Sequence, residues 1–474
     1  MVFLDKKINK PLYEQLYDEL KEEIVTNKLP KNTALNSVRV MAKELQISRN
    51  TVDRAYQQLL AEGYIRSVPG SGYYVEDIAN DYFEGHAKLE TVTAVKKPIK
   101  VAESKIKYDF RYSSIDASVF PWNKWRKYVQ NALLEEGNLQ TIPYESNKGN
   151  LALRKSLCNL LNRHRGVICK PEQIILCAGT QYAMQIVTNI LPPNEFRLAF
   201  EEPGYHAMRN IFLKKGYSLT TIPVLADGID DELLEKTNCN LVYMTPSHQF
   251  PTGAVTSVAK RNRILNWAHQ NDAYIIENDY DSEFRYGVVP IPSFQSLDQH
   301  ETVIYVGTLS KVMLPSIRCA YLILPERLLE RYDDLYSYFN AALPSYHEKA
   351  LQEFIDDGVL EKHIRKISLL NEQKYRVLIE ALKIYLHDNV ELFVQPAGVH
   401  TLAKIPKCKD QEALIAWLKE YSVGIHGTKK YYHNKKDARE DVFLIGYNSM
   451  SEEEIWHGCK VFGGALEEYL YLNK

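Results

Sequence analysis

The sequence predicts an α/β protein in which a small N-terminal winged helix-turn-helix unit precedes a larger domain with a mainly parallel sheet. Residues 11–75 carry the patterns of three helices and a β-hairpin, and apolar strand-like runs alternate with helical stretches from about residue 106. The chain after about residue 345 is richer in helical pattern, which predicts a smaller α+β lobe. Since 474 residues are too many for one core, we expect a winged helix, a linker and a large domain at 1–76, 77–105 and 106–474.

Three helices are predicted in the N-terminal unit. Apolar residues recur every four positions and form one helical stripe: Leu12, Leu16, Leu20 and Ile24. Pro30 ends this first helix, and a second helix covers roughly Val38 to Leu45. Ser48 can cap a third helix from Arg49 to Glu62, which Gly63 is placed to stop.

A β-hairpin and a linker follow the third helix. Two short strands, Tyr64–Val68 and Tyr73–Val75, flank the turn sequence Pro69-Gly70-Ser71-Gly72. Residues 77–105 begin acidic, end basic and show no sustained period, which is typical of a linker. The strand-like runs of the large domain include Ile174–Leu176, Leu241–Tyr243, Tyr274–Ile276 and Val303–Val306.

The charge distribution points to DNA as a partner of the third helix. The whole chain has a net charge of −2, but residues 27–75 hold seven Lys/Arg against three Asp/Glu. One face of the helix is apolar, and the other presents groups that read base edges or phosphates: Arg49, Asn50, Asp53, Arg54 and Gln57. Any one of these could be an ordinary surface residue, but the order of elements favours a DNA-binding unit.

This stretch resembles the winged-helix domain of the GntR family over about 65 residues. The matching positions are Arg39, Ser48-Arg49-Asn50-Thr51-Val52, Ala55-Tyr56, Leu59, Ala61-Glu62-Gly63-Tyr64 and Gly70-Ser71-Gly72. The resemblance implies that Arg39, Arg49 and Thr51 contact phosphates or bases and that the 70–72 wing lies against a groove. We therefore expect a DNA interface made of Arg39, Ser48, Arg49, Asn50, Thr51, Arg54, Gly70 and Ser71. Asn36 departs from the family, which usually has proline there.

Composition excludes several other classes of protein. The seven cysteines are scattered and form no C-x-x-C pair, which argues against a disulfide framework or a zinc cluster and for a reducing compartment. The first residues show no apolar signal core, and no run of 18 apolar residues occurs. We therefore expect a cytoplasmic protein with no metal centre and no membrane segment.

Lys311 is the candidate reactive residue of the large domain. It follows the apolar run Val303–Val306, where desolvation lowers the pKa of an ammonium group and so suits a Schiff-base lysine. A lone lysine is more often a surface residue, but Thr308, Ser310 and Arg318 add two hydroxyls and a guanidinium for a phosphate. The sequence Ala178-Gly179-Thr180-Gln181 also opens a helix after a strand, and helix N-termini favour anions.

From the linker onward the chain resembles the fold-type I aminotransferases, and the whole resembles the MocR/GabR branch of GntR regulators. The matching stretches are Phe120-Pro121 with Trp125, Tyr144 with Gly149 and Leu153-Arg154, Ala178-Gly179-Thr180-Gln181, Glu202-Pro203-Gly204-Tyr205, the run from Thr245 to Gly253, Tyr280-Asp281-Ser282-Glu283-Phe284 and Gly307-Thr308-Leu309-Ser310-Lys311. The resemblance implies pyridoxal 5′-phosphate (PLP) bound as an aldimine on Lys311, with Tyr205 stacked on its ring and Tyr280 bonded to the ring hydroxyl. It also implies a phosphate site and a domain-swapped head-to-tail homodimer. The phosphate ligands would be Thr180, Gln181, Thr308, Ser310 and Arg318.

One departure concerns the ring nitrogen. The family has an aspartate two residues before the Tyr280 position, and this sequence has Asn278. Successive strand residues point to opposite faces, so Asp279 should point away from the ring. Because a charged hydrogen bond contributes about 1.5–3 kcal/mol, a neutral amide weakens the electron sink that turnover requires. We expect amine exchange at Lys311 to survive and turnover to be doubtful.

The second departure concerns the substrate carboxylate. Aligned on Gly446, the arginine that aminotransferases use falls on Ser449, and the arginine of GABA-sensing members falls on Ala207. Four residues could substitute, although each is more often structural: His206, Arg209, Arg285 and Lys429. We expect an effector other than GABA or a plain α-amino acid, such as a small peptide.

Three hypotheses follow from the sequence. The leading one is a PLP-dependent regulator that binds operator DNA and senses a small amine by aldimine exchange at Lys311. The second is a working aminotransferase that carries a DNA-binding domain, against which Asn278 and Ser449 count. The third is a DNA-binding protein whose large domain is a dimerisation scaffold without cofactor.

Overall fold

A computed structural model describes Leu4 and residues 10–77, 106–112, 116–138, 144–286, 292–393 and 397–473. The chain divides into two compact units, one before and one after the boundary between residues 102 and 103. Nearly all of the predicted linker, residues 78–105, lies outside the described residues. None of the helices in the described part combines the length and the apolar character that a membrane crossing requires.

The first unit has the predicted order of elements. Its helices and strands are α1 (Leu12–Val25), α2 (Val38–Glu44), α3 (Arg49–Ala61), β1 (Ile65–Val68) and β2 (Gly72–Val75). Ser48 caps α3, because its side chain accepts a hydrogen bond from the Thr51 amide at 3.1 Å. Gly70 has φ +77°, a left-handed conformation that glycine adopts without strain in the turn between the antiparallel strands.

The core of this unit confirms the predicted apolar stripes. Side chains of α1 and α3 are buried against each other and against the hairpin: Leu16, Leu20, Ile24, Val52, Ala55, Tyr56, Leu59, Ile65 and Val75. Burying an aliphatic or aromatic side chain of this kind contributes roughly 1.5–3 kcal/mol. The opposite face of α3 is left exposed at Arg49, Asn50, Asp53, Arg54 and Gln57, as the sequence predicts.

The second unit is built on an eight-stranded sheet. Its strand order is β4-β11-β10-β9-β8-β5-β6-β7, with parallel pairing from β10 through β9, β8 and β5 to β6 and antiparallel pairing at both ends. The strands are β4 (Ile174–Cys177), β5 (Leu198–Glu202), β6 (Leu219–Leu225), β7 (Gly228–Ile229), β8 (Leu241–Met244), β9 (Tyr274–Asp279), β10 (Val303–Thr308) and β11 (Ala320–Ile323). The predicted α/β class with a mainly parallel sheet is confirmed.

Helices precede, follow and alternate with these strands along the chain. They are α4 (Trp122–Gly137), α5 (Leu151–Arg165), α6 (Thr180–Ile190), α7 (His206–Lys214), α8 (Asp231–Glu235), α9 (Val258–Gln270), α10 (Phe294–Leu297), α11 (Leu329–Tyr336) and α12 (Ser345–Asp356). Strands such as β4, β8, β9 and β10 are buried at every position, which explains their continuous apolar runs.

The end of the chain forms the predicted α+β lobe. Its elements are α13 (Val359–Leu386), β12 (Glu391–Phe393), β13 (His400–Lys404), α14 (Gln411–Glu420), β14 (Val423–Gly424), β15 (His426–Gly427), β16 (Val442–Gly446) and α15 (Glu452–Leu472). A four-stranded sheet has the order β12-β13-β16-β15, and β14 pairs with β3 (Tyr108–Asp109) from the start of the unit. This lobe brings β13 towards the loops that follow β8 and β9, because His400 packs on His248.

Candidate functional site

A cavity of about 230 Å³ lies where the parallel strands end. Its lining brings together most of the residues predicted from sequence: Tyr112, Gly179, Thr180, Tyr205, Thr245, Phe250, Asn278, Tyr280, Thr308, Ser310, Lys311, Pro315 and Arg318. The carboxyl ends of β4, β8, β9 and β10 or the loops that follow them supply many of these side chains. The sheet topology therefore assembles residues that are more than 100 positions apart in the sequence.

Lys311 lies just beyond β10 and presents its amine to the cavity. The Nζ atom is 4.0 Å from the centroid of the Tyr112 ring. Burial lowers the pKa of the Lys311 ammonium to about 8, and the buried Asp281 carboxylate offsets only part of this effect. A large fraction of Lys311 is therefore neutral and nucleophilic slightly above neutral pH.

Part of the cavity lining consists of groups suited to a phosphate. Gly179, with φ +100°, precedes α6, so the amides of the first turn of that helix are open to an anion. A Cβ atom at Gly179 would collide with the Arg318 guanidinium, which donates to the Ala178 carbonyl at 3.1 Å. The Ser310 hydroxyl is buried and has no hydrogen-bond partner among the described residues.

Other residues of the lining are polar and aromatic side chains from β9 and its surroundings. The Asn278 amide donates to the Tyr243 hydroxyl at 2.7 Å, whereas its buried Oδ1 has no partner in the described part of the chain. The Tyr280 hydroxyl donates to the His248 carbonyl at 2.9 Å. Tyr205 packs edge-on against Phe250, with ring centroids 5.4 Å apart.

Asp279 points away from the cavity, as strand alternation predicts. Its carboxylate accepts hydrogen bonds from Arg165 Nε at 2.7 Å and from the Tyr305 hydroxyl at 2.6 Å. Burial alone would raise the pKa of Asp279, but the Arg165 guanidinium holds it below its ordinary value. Asp279 is therefore a buried ion-pair partner, and Asn278 is the residue of this strand that faces the cavity together with Tyr280.

Several predicted site residues do not line the cavity. Gln181 is exposed, because it follows Thr180 by one position and the helix turns its side chain about 100° away. Ser449 also lies outside the lining, and its hydroxyl donates to the Asp109 carbonyl at 3.4 Å.

Most of the residues considered as substitutes for a carboxylate-binding arginine are bonded to other groups of the protein. Arg209 donates to the carbonyls of residues 430–432, Arg285 donates to the Ser247 carbonyl at 2.9 Å, and Lys429 pairs with Glu440 at 2.7 Å. His206 lies beside the cavity, 5.6 Å from the Tyr205 ring, and burial lowers its pKa. Among the described lining residues, the cations are Lys311 and Arg318.

Sequence reasoning missed a buried histidine cluster next to the cavity. His248 Nδ1 lies 2.9 Å from the Asp281 carboxylate, and the His248 and His400 rings are 4.9 Å apart. Burial lowers the pKa of His400 well below its ordinary value. His248 and Asp281 lie in stretches that matched the family, but their pairing had no local signal because 33 positions separate them.

In the N-terminal unit, the predicted DNA-binding residues fall into two groups. Arg39, Arg49 and Asn50 are exposed and have no side-chain partner among the described residues. The Ser48 and Thr51 hydroxyls, 2.7 Å apart, are used in capping α3, and the Arg54 guanidinium lies 3.9 Å from the centre of the Tyr13 ring on α1. In the wing, Ser71 contacts the Tyr74 hydroxyl at 2.6 Å beside Gly70.

Comparisons with known proteins agree with both units. Residues 12–75 match the family of bacterial regulatory proteins of the gntR type, and residues 111–462 match aminotransferase class I and II. The chain is 35% identical to the uncharacterized HTH-type transcriptional regulator YdeL of Bacillus subtilis, with 97% of each chain covered. It is 30% identical to the probable rhizopine catabolism regulatory protein MocR of Rhizobium meliloti, with 98% of this chain and 96% of that one covered.

A solved structure shows the fold of the second unit. LysN, an α-aminoadipate aminotransferase from Thermus thermophilus, superposes with a TM-score of 0.68 at 22% identity and covers 77% of this chain and 93% of its own. At this identity the likeness concerns the fold alone. Taken with the two family matches and the regulators that align over nearly their whole length, it leads to one conclusion: the chain belongs to the HTH-type transcriptional regulators of the MocR subfamily, in which a GntR-type DNA-binding region precedes an aminotransferase class I and II domain.

Proposed function

We propose that this transcription regulator holds PLP at Lys311 and senses a small primary amine in the same cavity. The observation that carries the proposal is a half-buried lysine of lowered pKa that lines a cavity together with two kinds of group. The first kind binds anions, and the second provides an aromatic and amide environment. When bound, PLP supplies an aldehyde group that can react with the lysine amine or, in its place, with an incoming primary amine.

The donors in the lining fit the phosphate group. The unpaired Ser310 hydroxyl, the Thr180 hydroxyl and the Arg318 guanidinium, which lies against Gly179, all line the cavity. Charge-assisted hydrogen bonds are roughly twice as strong as neutral ones, so Arg318 would contribute most among these side chains. Gly179 keeps this space open, since any larger residue would fill it. In this proposal the phosphate is held mainly by Thr180, Ser310 and Arg318. Gln181 adds only its backbone amide, and Thr308 lines the cavity while its hydroxyl donates to the Cys319 carbonyl at 3.2 Å.

Asn278 favours sensing over turnover. Its Oδ1 faces the cavity as a neutral acceptor, while the nearest carboxylate on the same strand, Asp279, is turned away and neutralised by Arg165. A neutral amide cannot stabilise a protonated ring nitrogen as a carboxylate does. Removal of a proton from the carbon next to the amine depends on the protonated ring nitrogen and is therefore disfavoured. Exchange of one amine for another in the cavity does not depend on it.

The cavity lining also limits the effector. Arg318 is assigned to the phosphate, and the cations considered as carboxylate clamps are bonded to carbonyls or to Glu440. Apart from Lys311, the remaining lining is aromatic or neutral, including Tyr112, Tyr205 and Phe250. We infer an amine whose carboxylate, if present, lies away from the reacting nitrogen, as in a small peptide.

DNA binding is assigned to α3, the wing and Arg39 on α2. Arg39, Arg49 and Asn50 are exposed and free to contact phosphates or base edges, and Gly70-Ser71 forms the tip of the hairpin. Arg54 is a weaker candidate because its guanidinium stacks on Tyr13. The proposal includes the homodimer implied by the family resemblance, and light scattering of the purified protein measures it.

The experiment measures DNA affinity of the PLP-loaded protein with and without a panel of amines and short peptides. An operator is first selected from random-sequence duplexes. Wild type is expected to change its affinity with at least one amine, and Lys311→Ala is expected to bind DNA without responding. The matched control Lys362→Ala removes an exposed lysine and should respond as wild type does. A response that persists in Lys311→Ala refutes sensing at this lysine, and sustained keto-acid production by wild type supports the aminotransferase hypothesis instead.

A second experiment tests the DNA face. Arg49→Ala should weaken operator binding while leaving the visible absorbance of the cofactor unchanged. Arg126→Ala removes the same charge from an exposed position in the other unit and serves as control. Equal gel shifts for Arg49→Ala and wild type contradict the assignment of α3.

A further inference from the structure

Two cysteines of the second unit lie in contact outside the cavity. Cys158 is on α5, and Cys169 follows the end of that helix by four residues. Their Sγ atoms are 3.5 Å apart, and both residues are half-buried. The other five cysteines are buried: Cys177, Cys239, Cys319, Cys408 and Cys459. Two of them, Cys177 on β4 and Cys319 beside β11, lie near each other on paired strands. The 158–169 pair is thus set apart from them both by contact and by exposure.

The local fold holds these two thiols together without a covalent bond. α5 ends at Arg165, and Gly166 adopts φ +67°, which turns the chain back along the helix. Asn162 helps to fix this return, since its side-chain amide donates to the Val167 carbonyl at 3.3 Å. A disulfide requires a sulfur separation of about 2.05 Å, so the sulfurs must approach by only about 1.5 Å. A shift of that size fits within a short exposed loop.

The pKa values of the two thiols shift in opposite directions. The contact with Cys169 lowers the pKa of Cys158 and outweighs burial and the Glu172 carboxylate, which act to raise it, and the Arg154 guanidinium adds to the lowering. The same contact and burial raise the pKa of Cys169. Thiolates are the nucleophilic form of cysteine, so Cys158 is the attacking sulfur and Cys169 the resolving one.

Small molecules can reach this pair. Both cysteines line a surface depression of about 270 Å³ together with Asn159, Asn162 and Arg163. The two cysteines are less suited to binding a metal ion than to redox chemistry. Within the described residues, the His/Cys/Asp/Glu group that could hold an ion consists of His248, Asp281 and His400, and neither cysteine belongs to it. Two thiols alone leave a zinc site half complete.

We propose that Cys158 and Cys169 form a reversible redox modification site that takes a hydroperoxide as its oxidant. The Cys158 thiolate attacks the outer peroxide oxygen, the O–O bond breaks, and a sulfenic acid forms with release of an alcohol or water. The Cys169 sulfur then attacks Cys158 Sγ, the S–O bond breaks, and water leaves. Overall, two thiols and one hydroperoxide give one disulfide, one alcohol (or water) and one water. A dithiol reductant restores both thiols.

The test uses the full-length protein, reduced and then treated with hydrogen peroxide. Titration after denaturation should count seven free thiols before treatment and five after it, with seven restored by dithiothreitol. The intact mass should fall by two hydrogen atoms. Trypsin cuts after Arg163 and Arg165, so only a bridge keeps the Cys158 and Cys169 peptides together, and fragment ions separate Cys169 from Cys177 on its peptide.

Variants make the assignment specific. Cys158→Ser and Cys169→Ser should each prevent the bridge, whereas the control Cys408→Ser should lose two thiols as wild type does. The proposal is overturned if seven thiols survive treatment, if Cys158 is oxidised to sulfinic acid without a bridge, or if the bridge joins another pair. Wild-type peptide mapping decides the matter even if a serine variant does not fold.

Discussion

Replacing Lys311 with methionine tests whether the structure describes its environment correctly. Methionine keeps an unbranched side chain of similar length and removes the charge. In the cofactor-free protein, wild type must carry an ammonium group enclosed by the cavity at neutral pH, close to the Tyr112 ring. The Lys311→Met protein has no such group, so it should be the more stable of the two at pH 7.

The size of the effect follows from the lowered pKa. A pKa of about 8 in place of the ordinary 10.5 corresponds to about 3 kcal/mol of destabilisation at pH 7, at about 1.36 kcal/mol per pKa unit. Water that enters the open cavity screens the ammonium charge and makes this destabilisation smaller. Lys311→Met also loses the cation–π contact with Tyr112, which lowers the expected gain in stability by roughly 0.5–1 kcal/mol more. We therefore expect Lys311→Met to raise the free energy of unfolding by about 1–2 kcal/mol.

The pH dependence gives the sharper readout. Between pH 8 and 10.5 the unfolded chain holds the Lys311 proton and the folded chain has released it, so wild-type stability rises with pH in that window. The stability of Lys311→Met lacks this contribution, and the difference between the two proteins should shrink from pH 7 to pH 10. Urea unfolding of both cofactor-free proteins at these pH values measures it. A difference that is zero at pH 7, or constant with pH, refutes the desolvated lysine.

Further predictions concern the cofactor cavity and the recognition helix. Asn278→Asp should strengthen PLP binding by roughly tenfold to a hundredfold, the equivalent of a charged hydrogen bond of about 1.5–3 kcal/mol, and fluorescence titration checks this; unchanged affinity contradicts the placement of Asn278. Gly179→Ala should weaken PLP binding because the added methyl meets the Arg318 guanidinium in a left-handed backbone conformation, whereas Gly464→Ala, in open space, should not. Ser48→Ala should lower the free energy of unfolding of the N-terminal unit by about 1 kcal/mol through loss of the α3 cap, with the exposed Ser67→Ala as control in thermal melts.

The elements that the sequence predicted best are those that local signals define. The third helix was expected from Arg49 to Glu62 and runs from Arg49 to Ala61, because Ser48 and Gly63 mark its ends. Lys311 and Asn278 could be placed because each lies on or just after a buried strand, where alternation decides which side chain faces the cavity.

Features that depend on tertiary contacts could not be predicted in this way. Tyr112 and His400 reach the cavity region from chain segments far from Lys311, and no spacing or capping rule links them. Arg54 was expected on the hydrogen-bonding face of α3. In the structure its guanidinium stacks on Tyr13 of α1, a contact that depends on how the two helices pack together.

The most direct measurement of the central claim is borohydride reduction of the purified protein after loading with PLP, followed by peptide mapping. Reduction turns a reversible lysine–aldehyde linkage into a permanent label. The account predicts a single label on Lys311 together with visible absorbance that is lost in Lys311→Ala. A protein that takes up no PLP, or that carries the label on another lysine while Lys311 is unmodified, contradicts it.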